Sequence, residues 1–205
     1  MPQIIIILAF FIGFNAFGQI QTENEIYIKS GLSIANYATE VAQGMFIGEK
    51  YGFHGGVGRK LISYKSFTIN GEILFNQKGW KYEDIPVPQY GNVDFIFTLN
   101  YLDLALYLDY QINKRLYAET GGQLSYMLNY DINDTNQLIT YSNPNELEFS
   151  PIVGLRFEWN QYFSNYVRFT YGTWSQQGLF ADKNMVIMLG GYLSLNELLK
   201  RKIDL

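Results

Sequence analysis

His54 is the only histidine in the chain, and no cysteine is present. A hydroxyl nucleophile would need that imidazole, with an orienting acid behind it, all within hydrogen-bond reach. Ser63, Ser66 and Ser125 are the candidate hydroxyls, but nothing in their spacing assembles such a triad. His54 lies between Phe53 and the pair Gly55-Gly56 in an extended stretch, so it reads as a polar lumen or interface residue rather than a base. The carboxylates show no metal-ligand spacing, and the 19 scattered glycines form no phosphate-cradling loop. Gly55, Gly56 and Gly58 are expected to ease close backbone approach and curvature. No catalytic, cofactor-binding or metal residue is expected, and the chain is not read as an enzyme.

The charged residues that remain fall into a pattern. Lys29, His54, Lys60, Glu72, Asp103, Asp109, Glu119, Arg156, Glu158 and Arg168 each occupy the polar side of a stretch whose other side is apolar. Both signs occur in similar numbers. Buried charges persist when they are paired and hydrogen-bonded, so the preferred reading is a mutually neutralising plug. The alternative is a polar pathway for a small solute or ion.

The elements that must position these residues are strands. In Asn100–Ile112, Leu102, Leu104, Leu106, Leu108, Tyr110 and Ile112 fall on one face of an extended chain. Tyr101, Asp103, Ala105, Tyr107, Asp109 and Gln111 fall on the other. The length suits a tilted membrane strand, which needs roughly 9–11 residues. A cation at Leu106 is therefore expected to be costly, and one at Tyr107 tolerated. The same period of two places strands near 26–36, 51–61, 66–77, 98–112, 115–130, 149–160, 166–176 and 184–195. In the fifth, Tyr117, Glu119, Gly121, Gln123, Ser125 and Asn129 share the polar side. Leu116, Ala118, Leu124, Tyr126 and Leu128 share the apolar side.

Connections alternate in length. Ile62–Lys65, Asn113–Lys114 and Gln161–Asn165 are short. Tyr37–Lys50, Lys78–Phe97, Asp131–Glu148 and Gln177–Lys183 are long. Short periplasmic turns with long outer loops are the asymmetry of bacterial outer-membrane barrels. A soluble barrel of lipocalin type would put its apolar face inward, around a calyx that this charged face does not suit. With the apolar face outward, it would expose far more apolar surface than soluble monomers carry. The expected fold is all-β: an eight-stranded antiparallel up-and-down transmembrane β-barrel.

Composition agrees. Aromatic residues make up 17% and charged residues 17%, the latter below the roughly 25% of soluble domains. A net charge of −4 with no basic stripe excludes a nucleic-acid binder. Residues 1–19 read as a cleaved signal peptide, with an apolar run at Ile4–Phe14 and small residues at Ala16-Phe17-Gly18. Residues 20–195 form the barrel, and residues 196–205 a short polar periplasmic tail.

Four stretches carry a family resemblance: GFHGGVGRKL (52–61), INGEILFNQKGWKY (69–82), LNYLDLALYLDYQINKRLYAETGGQLSYMLN (99–129) and SPIVGLRFEW (150–159). Through them the chain resembles the PorT-like small outer-membrane β-barrels of Bacteroidetes-type bacteria. The resemblance implies an outer-membrane location and extracellular loops. The namesake is associated with secretion and gliding machinery, and the family offers no catalytic motif to match. Barrels of this kind usually end on an aromatic residue, whereas here Tyr192 and Leu195 are followed by NELLKRKIDL. The expected role is an envelope structural or interaction component, or a secretion accessory. The alternatives are a narrow solute or ion channel and, more weakly, a lipid-modifying hydrolase. Expected partners are outer-membrane lipid and lipopolysaccharide, the barrel assembly machinery and other envelope proteins.

Overall fold

The computed structural model describes residues 25–38, 46–87, 91–134, 147–175 and 183–196. Residues 1–19, expected as a signal peptide, and the expected tail beyond residue 196 lie outside the described residues. Eight long strands run antiparallel: β1 (Ile26–Ala38), β2 (Phe46–Tyr64), β3 (Phe67–Val87), β4 (Gly91–Gln111), β5 (Leu116–Asp134), β6 (Leu147–Glu158), β7 (Phe163–Tyr171, resuming at Trp174–Ser175) and β8 (Lys183–Ser194). Each pairs with its sequence neighbour, and β8 returns to β1 from Tyr27↔Ser194 to Ala38↔Lys183. That last pairing closes the ring, so no strand edge is left along the seam.

The outward residues make the lipid band. Leu32, Val57, Leu106, Leu124, Val153, Leu155, Val167, Ile187 and Leu189 are all exposed, as apolar side chains facing acyl chains must be. At the short-turn end Tyr64, Phe67, Tyr110, Trp159 and Phe163 ring the outside, at the height where aromatic residues meet headgroups. Two glycines show how the interior is shaped. Gly58 stands opposite Tyr27, and a Cβ there would fall 2.3 Å from the tyrosine ring. Gly79 has φ +139°, a conformation closed to side chains, and a Cβ would meet the Phe97 carbonyl oxygen at 1.9 Å. Of the glycines expected to need close approach, Gly56 and Gly58 do, while Gly55 has room for a methyl group.

The strands differ from expectation mainly at the long-loop end. Residues 78–87 and 91–97, expected as loop, continue β3 and β4 as a paired hairpin from Lys78↔Leu99 to Val87↔Gly91. β2 and β5 likewise reach past their expected ends, to Phe46 and Asp134. The wall formed by β2–β5 is tall, and that formed by β6–β8 is low. The cause is a reversal of polarity above the lipid. Val93, Phe95, Phe97, Leu99 and Tyr101 are buried inward, while Asn92, Asp94, Thr98 and Asn100 point outward. Alternation continues in phase, but the outside is now water.

A bulge corrects one further face. Asn100 pairs with Asn129 while Tyr101 pairs with Met127, which skips Leu128. Met127 is buried in phase with Gln123 and Ser125, and past the bulge Asn129 moves to the outer surface, where it accepts from Asn100 Nδ2 at 2.6 Å.

Candidate functional site

Among the described residues the polar side chains converge in the lumen, which is built in four storeys. At the periplasmic floor, Arg156 on β6 donates from Nη2 to Asp109 Oδ2 on β4 at 2.9 Å. Its guanidinium lies 4.0 Å from the centre of the Tyr117 ring. Glu158, a third exposed, approaches Arg156 Nη1 at 3.5 Å. At the rim Lys60 pairs with Glu25, whose carboxylate also accepts from Tyr192 Oη at 3.2 Å. Lys60 and Glu158 therefore sit at the mouth, not in the buried network.

The middle storey centres on Glu72 of β3. It accepts from Tyr107 Oη at 2.6 Å and Tyr27 Oη at 3.1 Å, and pairs with Lys29 Nζ at 2.7 Å. Arg168 of β7 completes it, with Nη1 at 2.6 Å from Glu72 Oε2 and Nη2 at 2.9 Å from Glu119 Oε2. In a ring of eight, β3 and β7 stand diametrically opposite each other. A 2.6 Å contact between them spans the lumen at this level. Lys29 of β1 also approaches Glu119 of β5, another diametric pair, at 3.8 Å.

Above these lie His54, Ser33, Asn76, Asp103, Gln123, Ser125, Lys78 and Glu148, all buried. Asn76 and Gln123 donate to Asp103 Oδ2 at 2.8 and 2.9 Å, and Lys78 pairs with Glu148 Oε1 at 3.0 Å. The extracellular storey is apolar. Trp80 and Phe97 stack at 4.8 Å, and the Tyr82 ring stands edge-on to both.

His54 meets none of the three serines named from sequence; it meets Ser33. Ser33 Oγ donates to Asn76 Oδ1 at 2.8 Å, so at His54 Nδ1, 3.0 Å away, it acts as acceptor. The imidazole therefore carries its proton on Nδ1, and Nε2 accepts from Tyr166 Oη. Among the described residues, the hydrogen bonds of His54 go to Ser33 and Tyr166, with the serine proton already committed to the asparagine. That arrangement orients a buried ring.

Of the ten residues read from the sequence as lumenal, Lys29, His54, Glu72, Asp103, Asp109, Glu119, Arg156 and Arg168 are buried together. Lys78, Glu148 and the tyrosines at 27, 166 and 192 join them without having been singled out, and Tyr107 lies on the lumenal face where its alternation places it. Phase would have found Lys78, since Glu72, Leu74, Asn76, Lys78 and Trp80 alternate without a break.

A closed eight-stranded ring with an apolar outside and a charged inside has a direct counterpart among sequence families. The model for the outer membrane protein beta-barrel domain matches residues 10–199. The chain belongs to that family. It is an outer-membrane protein, and its strands cross the bilayer. A search of the curated proteins finds no match. Among solved structures, Ail, the attachment invasion locus protein of Yersinia pestis, aligns at 16% identity with TM-score 0.50, over 84% of this chain and 99% of that one. Neisserial surface protein A aligns at 11% identity with TM-score 0.51, over 83% of this chain and 97% of that one. At such identities the likeness shows the fold alone.

Proposed function

We propose that this member is a closed, non-conducting and non-enzymatic barrel that anchors an extracellular sheet in the envelope and works through partners, as a PorT-like secretion accessory or a related interaction component. The single observation that carries this reading is the contact of Glu72 with Arg168 across the full diameter. Buried charges held by this many partners resist being opened, because removing one leaves the others uncompensated. The expected partners are lipopolysaccharide around the wall, the assembly machinery during insertion, and other envelope proteins above the tall β2–β5 wall. The resemblance in GFHGGVGRKL and LNYLDLALYL supports the PorT-like assignment.

Planar-bilayer recording tests the closed lumen. The expected trace is silent, and large, steady single-channel openings from the wild-type barrel would put the channel reading first. Affinity capture from cross-linked outer membranes tests the partner half: a secretion or envelope complex is expected, and recovery of the barrel alone would argue against it. Hydrolysis of lipopolysaccharide, lost in His54→Ala, would overturn the non-enzymatic reading.

A further inference from the structure

Two neighbouring turns at the periplasmic rim carry cations that the rest of the barrel does not balance. Lys65 lies in the turn between β2 and β3, and Lys114 and Arg115 in the turn between β4 and β5; all three are exposed. Among the described residues none of them joins an ion pair. Among the described residues the acids of that rim are taken: Glu25 by Lys60 and Glu158 by Arg156.

The turns adjoin because β3 pairs with β4, with Phe67 opposite Tyr110 and their rings 5.0 Å apart. Tyr64, Phe67 and Tyr110 form an exposed outward row just above the cations, and Lys65 Nζ lies 5.3 Å from the centre of the Tyr64 ring. The opposite periplasmic turn, Trp159–Tyr162, holds no charge, and the Asn160 side chain closes it by accepting from Tyr162 N and Phe163 N. Among the turns described, positive charge is thus confined to one sector, immediately below an aromatic row that marks headgroup depth. Long cationic side chains in that position lay their stems along apolar surface and place their charge among lipid phosphates. The two turns are about two strand spacings apart, roughly 10 Å, so their side chains can converge on one headgroup.

We propose that this corner binds the headgroup of an anionic glycerophospholipid in the periplasmic leaflet. The site needs the short turns to face the periplasm, and it is independent of whether the lumen conducts.

The test uses the mature barrel in nanodiscs of equal parts phosphatidylcholine and phosphatidylglycerol, with retained lipids counted by native mass spectrometry. Wild type is expected to retain phosphatidylglycerol preferentially. Each charge removed in K65Q/K114Q/R115Q should lower that preference about fivefold. Lysine-to-arginine changes at 65 and 114 should keep it, as should Lys81→Gln on the tall wall. Inorganic phosphate added in excess should fail to displace the lipid, whereas displacement would identify a free-phosphate site instead. Heat-modifiable gel migration verifies that each variant is folded. Equal retention of both lipids by wild type, or an undiminished preference in the folded triple variant, would overturn the proposal.

Discussion

Asp109 and Glu119 stand directly opposite each other across β4 and β5, two buried carboxylates in one cross-strand pair. Like charges in that position destabilise a sheet. Here each is turned toward a different arginine: Asp109 toward Arg156 at 2.9 Å, and Glu119 toward Arg168 at 2.9 Å. The guanidiniums come from β6 and β7, strands that the sequence separates from the pair by a long connection. The repulsion is therefore offset only once β6 and β7 have joined the sheet beside β5.

Arg156→Ala should destabilise the barrel by about 3–5 kcal/mol, because it leaves Asp109 buried beside Glu119 without its cation. Lys60→Ala should cost much less, since water reaches the mouth where Lys60 and Glu25 are partly exposed. Urea unfolding in lipid vesicles compares the two. Equal losses would mean that the floor is hydrated.

Leu106→Arg places a cation against acyl chains and should cost about 2–4 kcal/mol. The facing expected from sequence holds, but Tyr107 is not the tolerant position. Its hydroxyl bonds to Glu72 and Tyr27, and Arg168 lies 4.4 Å from the centre of its ring. Gln111, near the periplasmic mouth, is the better comparator, and Gln111→Arg should fold nearly as wild type. Folding yields into vesicles measure the contrast.

Above the lipid the polarity is reversed, so substitutions there should follow soluble-protein rules. Phe97→Ala, which removes the stacking partner of Trp80, should cost about 3–5 kcal/mol, while Thr98→Asp on the outer face should be nearly neutral. Trp fluorescence followed through a denaturant titration reads both. A Thr98→Asp loss as large as that of Phe97→Ala would place lipid higher on the wall than described.

Burial works against the Glu25 carboxylate. Lys60 beside it, with hydrogen bonds from Lys60 and Tyr192, outweighs that burial and holds its pKa below the ordinary 4.5. A group depressed in the folded state stabilises fully above its unfolded value and loses that contribution as pH falls through the folded one. The stability difference between wild type and Glu25→Gln should therefore be constant above about pH 5 and shrink on acidification below 4.5. A difference that grows on acidification would contradict the assignment.

The membrane half of the barrel was legible because lipid outside and charge inside give each strand one apolar wall, as in Leu102 to Tyr110. The extracellular half was not, because Val93–Phe97 keeps the period but exchanges the meaning of its two faces. A search for outward apolar residues stops at Leu102. The bulge at Leu128 left no mark in composition, so Asn129 was assigned to the wrong face. The pairing of His54 with Ser33 was hidden for another reason: which serine meets an imidazole across β1 and β2 depends on register, and several registers satisfy the same alternation.

From Asn100 to Gly91 the fourth strand climbs roughly 30 Å along its own axis, a length comparable to the hydrocarbon core it has just crossed. A reagent arriving from outside the cell thus meets ordered sheet on the β2–β5 side before it meets the bilayer. Chemical footprinting of intact cells should then carry a rhythm of two, with Asn92, Asp94 and Thr98 reactive and Val93, Phe95 and Phe97 silent, where a loop would label without rhythm.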